Sequence, residues 1–364
     1  MRKKHFLFAS VLALLCGSSA LHAQDFKLTS SGYFKNQGVD IMAFDDIYPE
    51  GHQGGVCIIM NGHRVATNGD IRLEATPGQW QPVPKQLDRK LGDNSITATL
   101  CYPDSSRHLT GFNPMIYPDL HLIYTVNVES KGKNIEVTVD LDRPIPQEFI
   151  GKVGFNLEFF PGSLFGKPWI MDGQSGIFPQ QPNSPLMTTQ PNYLHTGNYH
   201  DGKQSLADMD KLIGKGYSPI VADDIISEPY AKGRKFTSRP DDPYNKVTIE
   251  SLSGDLQLFD GRMNHNNGWF VLRSNIKPGV TKGAVKWIIT PNVVADWMYQ
   301  PVIQTSQIGY HPAQDKEAVI EMDIRDNRKE TAQIIRIDAD GEKVVKNVTP
   351  ANWGKFLRLS LIHI

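Results

Sequence analysis

Five side chains between positions 169 and 201 are of the types that grip a sugar. Trp169, Tyr193 and Tyr199 offer aromatic faces for the apolar side of a pyranose, and His200 with Asp201 can bond its hydroxyls. The competing reading makes Trp169 a core anchor for a long loop. His195 and His200 flank Tyr199 but lack a third donor at ligand spacing, so no metal site is assigned to them. Adjacent carboxylates occur at Asp223-Asp224 and Asp241-Asp242. The second pair sits between Arg239-Pro240 and Pro243, which is turn chemistry, and both pairs are read as surface loops. Asn264-His265-Asn266-Asn267-Gly268 reads as a turn ahead of an apolar run. Asp338-Ala339-Asp340-Gly341-Glu342 starts like a calcium loop but lacks its distal ligands, so it too reads as a hairpin. No Gly-x-Ser-x-Gly, phosphate-cradling glycine loop or Cys-x-x-Cys occurs. These residues assign no catalytic group and no cofactor.

The chain that must position them has 364 residues, 40% apolar and 21% charged, which is ordinary for a folded protein and enough for two domains. Arg2-Lys3-Lys4, an apolar core over 6–16 and Leu21-His22-Ala23 make a cleavable signal peptide over 1–23. Cys16 leaves lipidation as an alternative, although Leu15 is bulky for a lipobox. Either way the protein is expected to be exported, to the periplasm, the cell surface or beyond. Cleavage removes three of the 38 basic residues and no acid, leaving 35 against 39 and a net charge of −4. With no basic run, nucleic acid is excluded as a partner. With no further apolar stretch of ~20 residues, no integral membrane segment is expected. Cys57 and Cys101 remain in the mature chain. Export permits them to pair, and two buried free thiols are the alternative.

Period-two alternation dominates the rest. Residues 120–128 and 135–141 are β-branched and aromatic runs around the turn Ser130-Lys131-Gly132-Lys133-Asn134, which predicts a hairpin. Similar short runs recur at 56–60, 96–101, 152–160, 246–249, 255–259, 269–274 and 283–290. The one helical pattern, 205–213, is weak. The fold class is therefore all-β: a large sandwich over 24–300, of the supersandwich kind, whose proline-rich stretch 161–242 makes an ordered excursion over one face. A boundary at Gln300-Pro301 precedes four short runs (302–306, 316–323, 331–337, 343–346) spaced for a small immunoglobulin-like sandwich.

Thr305-Ser306-Gln307-Ile308-Gly309-Tyr310-His311-Pro312, with the lysine-led run Lys316-Glu317-Ala318-Val319-Ile320, carries a family resemblance. It resembles the opening of the immunoglobulin-like module that precedes the catalytic barrel of family 9 glycoside hydrolases, the cellulase and endoglucanase family. Gln307, Gly309, Tyr310 and Pro312 are the motif's structural residues. Gly309 allows a bent backbone, Tyr310 is an anchor with a polar tip, and Pro312 ends the strand. Ser306 stands where the motif more often has Asn. The resemblance covers 301–358 and implies only a partial immunoglobulin-like module, a truncated sandwich. The larger part looks loosely like the extra sandwich ahead of that module in Bacteroidetes-type enzymes, and Gly154-Phe155-Asn156-Leu157-Glu158-Phe159-Phe160 is similar to large sandwiches of sugar-acting proteins.

The resemblance implies an inverting hydrolase of β-linked glucans. Its aspartate base and glutamate acid sit in a helical barrel after the module, ~6.5–9.5 Å apart so that a water fits between base and sugar. Neither aspartate pair here corresponds to that base, because both lie before the module. The expectation is thus a non-catalytic front portion of a hydrolase, inactive alone. Its partners would be a glucan or related polysaccharide and a catalytic barrel further along the same chain. Leu359-Ser360-Leu361-Ile362-His363-Ile364 is set apart as a tail of foreign origin. The alternatives are an exported carbohydrate-binding protein without catalysis and a mutarotase-like enzyme within the large sandwich, in which His200 would act.

Overall fold

The computed structural model describes residues 25–45, 54–74, 77, 83–106, 118–182, 228–263, 268–328, 331–356 and 359–363. The first strands are β1 (Lys27–Leu28), β2 (Phe34–Asn36), β3 (Val39–Ala43), β4 (Val56–Met60) and β5 (His63–Leu73). The chain then crosses to a second sheet with β6 (Lys85–Leu91), β7 (Ser95–Tyr102), β8 (Leu122–Lys131) and β9 (Asn134–Leu141). It returns as β10 (Val153–Phe159), crosses again for β11 (Pro168–Met171) and β12 (Gln174–Ile177), and comes back with β13 (Ala231–Gly233). Strands β14 (Lys235–Ser238) and β15 (Val247–Ser251) join the second sheet, β16 (Leu256–Asp260) and β17 (Phe270–Asn275) the first, and β18 (Val285–Pro291) the second.

Among the described residues each sheet has nine strands. The first runs β1-β2-β3-β4-β5-β10-β17-β16-β13 and the second β12-β11-β14-β15-β18-β9-β8-β7-β6, with antiparallel pairing between named strands. This is an all-β sandwich, as the alternation requires. The expected hairpin is β8–β9, and its strands run into the anticipated turn until only Gly132 and Lys133 remain between Lys131 and its partner Asn134. Gly132 takes φ +68, where a side chain is disfavoured.

On β8, Leu122, Tyr124, Val126 and Val128 are buried, and on β9, Ile135, Val137, Val139 and Leu141. They join one core shared by both sheets. Phe155 meets Trp287 edge-on at 5.0 Å between centroids, and Phe159 meets Phe236 at 5.8 Å, both pairs crossing from sheet to sheet. The Trp287 indole N–H is satisfied by the Ser274 hydroxyl at 3.0 Å. Polar β6 closes one edge with exposed charged side chains, which discourages further strand addition.

No strand falls between Pro291 and β19 (Val302–Gln304). Then come β20 (Val319–Asp323), β21 (Ala332–Asp338), β22 (Gly341–Val348), β23 (Ala351–Phe356) and β24 (Leu359–His363). They pair only among themselves, as a four-stranded sheet β19-β20-β24-β23 and a two-stranded hairpin β21-β22. The stretch set apart as a tail thus lies as β24 between β20 and β23. The hairpin expected at Asp338–Gly341 is present, with the Asp340 N–H bonding the Asp338 carboxylate at 3.2 Å.

Candidate functional site

On β10, Val153, Phe155, Leu157 and Phe159 enter the core, so alternation turns Gly154, Asn156 and Glu158 to the sheet's other face. That face is ordinarily the wet one, yet Asn156 and Glu158 are 1% and 4% exposed. Register sets their neighbours. Asn156 is flanked by Asp70 on β5 and Arg273 on β17, and Glu158 by Thr67 and Val271. Two rows of buried side chains therefore cross the middle of the first sheet, one carrying most of the charge.

Arg273 is the hub of the charged row. Its Nη1 donates to the Glu74 carboxylate and to Asn156 Oδ1, both at 3.1 Å, and its Nε to Asn275 Oδ1 at 2.7 Å. Its Nη2 donates to the Glu74 and Lys152 carbonyls at 3.2 and 2.5 Å. Asn156 Nδ2 reaches the same Glu74 oxygen at 2.5 Å. Burial pulls the Arg273 pKa below its ordinary value, and the Glu74 charge opposes that pull. A buried ion pair this fully bonded gains little over apolar packing, but losing one partner strands the other charge.

Nearby, Asp70 is fully buried and accepts the Tyr124 hydroxyl at 2.7 Å. Burial, then the Asp70 charge, pushes the Tyr124 pKa well above its ordinary value, so the phenol remains the donor. In the second row Asn68 Nδ2 donates to Glu158 at 2.7 Å, which aims its Oδ1 the other way. That Oδ1 is buried and has no hydrogen-bond partner among the described residues. Asn68 holds φ +55 at an irregularity of the β5–β10 ladder. Close by, a Cβ on Gly69 would stand 2.6 Å from Val56 Cβ, so only glycine fits. The arrangement is a buried mesh of acceptors and donors with one acceptor left over.

Cys57 on β4 and Cys101 on β7 are both buried, lie in different sheets and form no disulfide. Cys57 Sγ lies 3.1 Å from the Thr67 hydroxyl. Burial, then the Asp119 and Asp142 charges, pushes the Cys101 thiol up, away from the reactive thiolate.

Trp169 lies on β11 and is 6% exposed, with its ring so close to the backbone that a Cβ on Gly176 would sit 2.4 Å from it. It offers no open face for stacking. Tyr193, Tyr199, His200 and Asp201 lie outside the described residues, as do His195, Asp223, Asp224, the weak helical pattern 205–213 and the turn residues 264–267. Much of 161–242, expected as an excursion, is sheet (β11–β14), and the described residues on either side of 183–227 meet at one place. Arg262 Nη1 and Nη2 donate to the Gln180 and Pro179 carbonyls, each at 2.8 Å, and its guanidinium lies over Phe270 at 4.6 Å. Asp260, paired to Arg262 at 2.8 Å, accepts the Tyr230 hydroxyl at 3.0 Å. Asp242 is turn chemistry, accepting the Tyr244 N–H at 2.9 Å and Asn245 Nδ2 at 3.1 Å.

The sequence motif forms a local turn. Gly309 takes φ +80 and its N–H bonds the Ser306 carbonyl at 3.2 Å. The Tyr310 hydroxyl accepts the Ser306 N–H at 3.2 Å and donates to the Glu317 carbonyl. Gln307 and Pro312 are exposed. Lys316 Nζ closes the segment on the Pro312 and Gln314 carbonyls at 3.1 and 2.9 Å.

Sequence reasoning reached the segment holding Asn156 and Glu158 but missed Glu74, Asp70, Asn68 and Arg273. Two polar residues alternating through an otherwise apolar strand were the available signal. No group of three or more His, Cys, Asp or Glu placed to hold a metal occurs among the described residues, and none of their helices is long and apolar enough to cross a membrane.

No family model matches the chain, and no curated protein matches it. Among solved structures, the Slr1438 protein from Synechocystis sp. PCC 6803 is 9% identical, over 74% of this chain and 96% of that one, with a TM-score of 0.32. The HI1317 protein is also 9% identical, over 72% of this chain and 93% of that one, with a TM-score of 0.26.

Proposed function

We propose that this chain is the exported, non-catalytic front portion of a family 9 type glycoside hydrolase acting on β-linked glucans. The large sandwich is its accessory domain. Residues 301–358 are part of the immunoglobulin-like module that supports a catalytic barrel further along the protein. One observation carries the reading: the Ser306–Pro312 motif is built as a turn closed by the Tyr310 hydroxyl, at the head of strands that pair apart from the large sandwich. A motif retained for structure has to do such work, and its glycine and tyrosine are the residues that do it.

The test is to read the gene from its source genome through codon 358 and beyond. The expected continuation is a helix-rich domain with an adjacent pair of aspartates. A continuation in another fold, or an in-frame stop directly after codon 364, would overturn the reading. The expressed chain should release no reducing ends from carboxymethyl cellulose.

A second reading is glycan binding by the large sandwich without catalysis. Calorimetric titration of the chain with cello-oligosaccharides checks it, and absence of heat together with unchanged tryptophan fluorescence would count against it.

A further inference from the structure

Among the described side chains of the small module, Ile320 and Met322 are the buried hydrophobic pair, with Ala332 packed against them, and the strands β21 and β22 are exposed along nearly their whole length. A few strands without an apolar face to bury are marginal in water. The connection after β18 supplies further contacts to it.

Two turns at one end of the large sandwich lie side by side, Gln37-Gly38 between β2 and β3 and Asn61-Gly62 between β4 and β5. The Asn61 N–H bonds the Gly38 carbonyl at 2.6 Å. Gly38, Asn61 and Gly62 take φ +66, +53 and +87. Trp297 lies on the first turn so closely that a Cβ on Gly38 would stand 2.7 Å from its ring. Tyr299 lies on the second, 3.3 Å from where a Gly62 Cβ would be. The start of the connection is clipped as well, Asn292 donating from its N–H to the Lys246 carbonyl at 2.9 Å and from Nδ2 to the Pro243 carbonyl at 2.7 Å.

The same segment holds the module. The Trp297 carbonyl accepts Gln37 Nε2 from the sandwich at 2.7 Å and Arg325 Nη2 from the module. The Tyr299 N–H donates to Asp323 at the end of β20 at 3.0 Å, and its hydroxyl faces Glu321 at 3.4 Å. Asp323 is 6% exposed and bonds the Arg325 backbone and Nε at 3.0 and 2.9 Å.

We propose that the Gln37-Gly38 and Asn61-Gly62 turns are an intramolecular docking seat whose partner is the Trp297–Tyr299 segment, and that β20 of the small module depends on this seat for its order. The residues between β18 and β19 are then a strut, and the module keeps one orientation on the sandwich. This stands on contacts alone, independent of the hydrolase reading.

Hydrogen–deuterium exchange of the full chain, read by mass spectrometry, tests it through peptides covering 319–325 and 122–141. Gly38→Val puts a branched side chain against Trp297 and at a backbone angle it resists. It should speed exchange in 319–325 about tenfold or more and leave 122–141 unchanged. Because Gly38→Val can also disturb the β2–β3 turn, Gln37→Ala removes only the side-chain link. It should speed exchange in 319–325 by a few fold, with peptides over β2 and β3 unaffected. If Gln37→Ala leaves 319–325 as protected as before, or if Gly38→Val leaves it so while the sandwich stays intact, the module orders itself and the proposal fails.

Discussion

The large sandwich and the small module are built from the same local material and reach opposite outcomes. Both are antiparallel strands rich in Ile and Val joined by glycine turns. In the sandwich the apolar faces of two nine-stranded sheets close on each other, and residues such as Phe155, Trp287 and Val137 lose essentially all contact with water. In the module Ile335, Ile337 and Val344 stay 44%, 75% and 45% exposed although their strands pair along their length, with one irregularity at Ile334/Ile335. Backbone pairing is thus not what makes a core. Hydrogen bonds to partners replace hydrogen bonds to water at modest net gain, whereas covering an apolar face is worth ~25 cal/mol per Å². The sandwich also buries a connected mesh of polar groups across its first sheet, whereas the buried carboxylates described in the module, Asp323 and Asp326, pair with the nearby Arg325 and Arg328.

The sharpest break of the comparison is at the charged row. Arg273→Ala should cost the sandwich about 3–5 kcal/mol, because Glu74 is left charged and unpaired in the interior. Arg325→Ala, at a guanidinium 41% exposed, should cost no more than about 1 kcal/mol. Urea denaturation of both variants measures the gap. Equal losses would mean that Arg273 is wet or that the strut is far stronger than an exposed ion pair.

The strut itself can be titrated. Burial pushes the Asp323 pKa up, but hydrogen bonds from the Arg325 side chain, the Tyr299 N–H and the Arg325 N–H outweigh it and hold the group at about 2, against a usual 3.8. A depressed carboxyl pKa stabilises the folded form fully above the unfolded value, and that contribution disappears as pH falls through about 2. The Asp323 carboxyl resonance should therefore titrate near 2 by NMR. A midpoint at the usual value would show that the strut contacts are not formed in solution.

A smaller effect separates the motif turn from the hairpin beside it. Tyr310→Phe deletes the hydroxyl that joins Ser306 to Glu317 and should cost about 1 kcal/mol, seen as faster amide exchange at Ser306. The least effect belongs to β21. Ile337→Lys should change stability by less than about 0.5 kcal/mol in thermal melts, since its side chain is already in water. A large loss there would reveal a cover over the hairpin and erase the contrast between the two regions.

The strand pattern was legible wherever one face of a strand was apolar. β8, β9, β15 and β18 alternate between buried and half-buried residues and were readable from period two alone. So were the turns at Gly132, Asp242 and Asp340, which depend on residues close in sequence. The long strand β5 was not read, because Thr67, Asn68, Gly69 and Asp70 interrupt its apolar run with groups that elsewhere mark loops. The polar mesh was not legible either. Asn156 and Glu158 look solvent-facing by alternation, and their partners Glu74, Arg273 and Asn68 are 82, 117 and 90 residues away. No local pattern links positions so far apart.

The amino-acid order alone settled that the chain is all-β and where its main hairpins turn. Those are properties of neighbouring dihedrals and of which side of a strand repels water, and both act over a few residues. The tertiary structure alone decided which polar faces are buried, that Cys57 and Cys101 lie in separate sheets, and that Trp297 and Tyr299 rest on the turns at Gly38 and Gly62. Those outcomes depend on register between strands far apart in the chain, where each side chain's surroundings are supplied by residues it never meets in sequence.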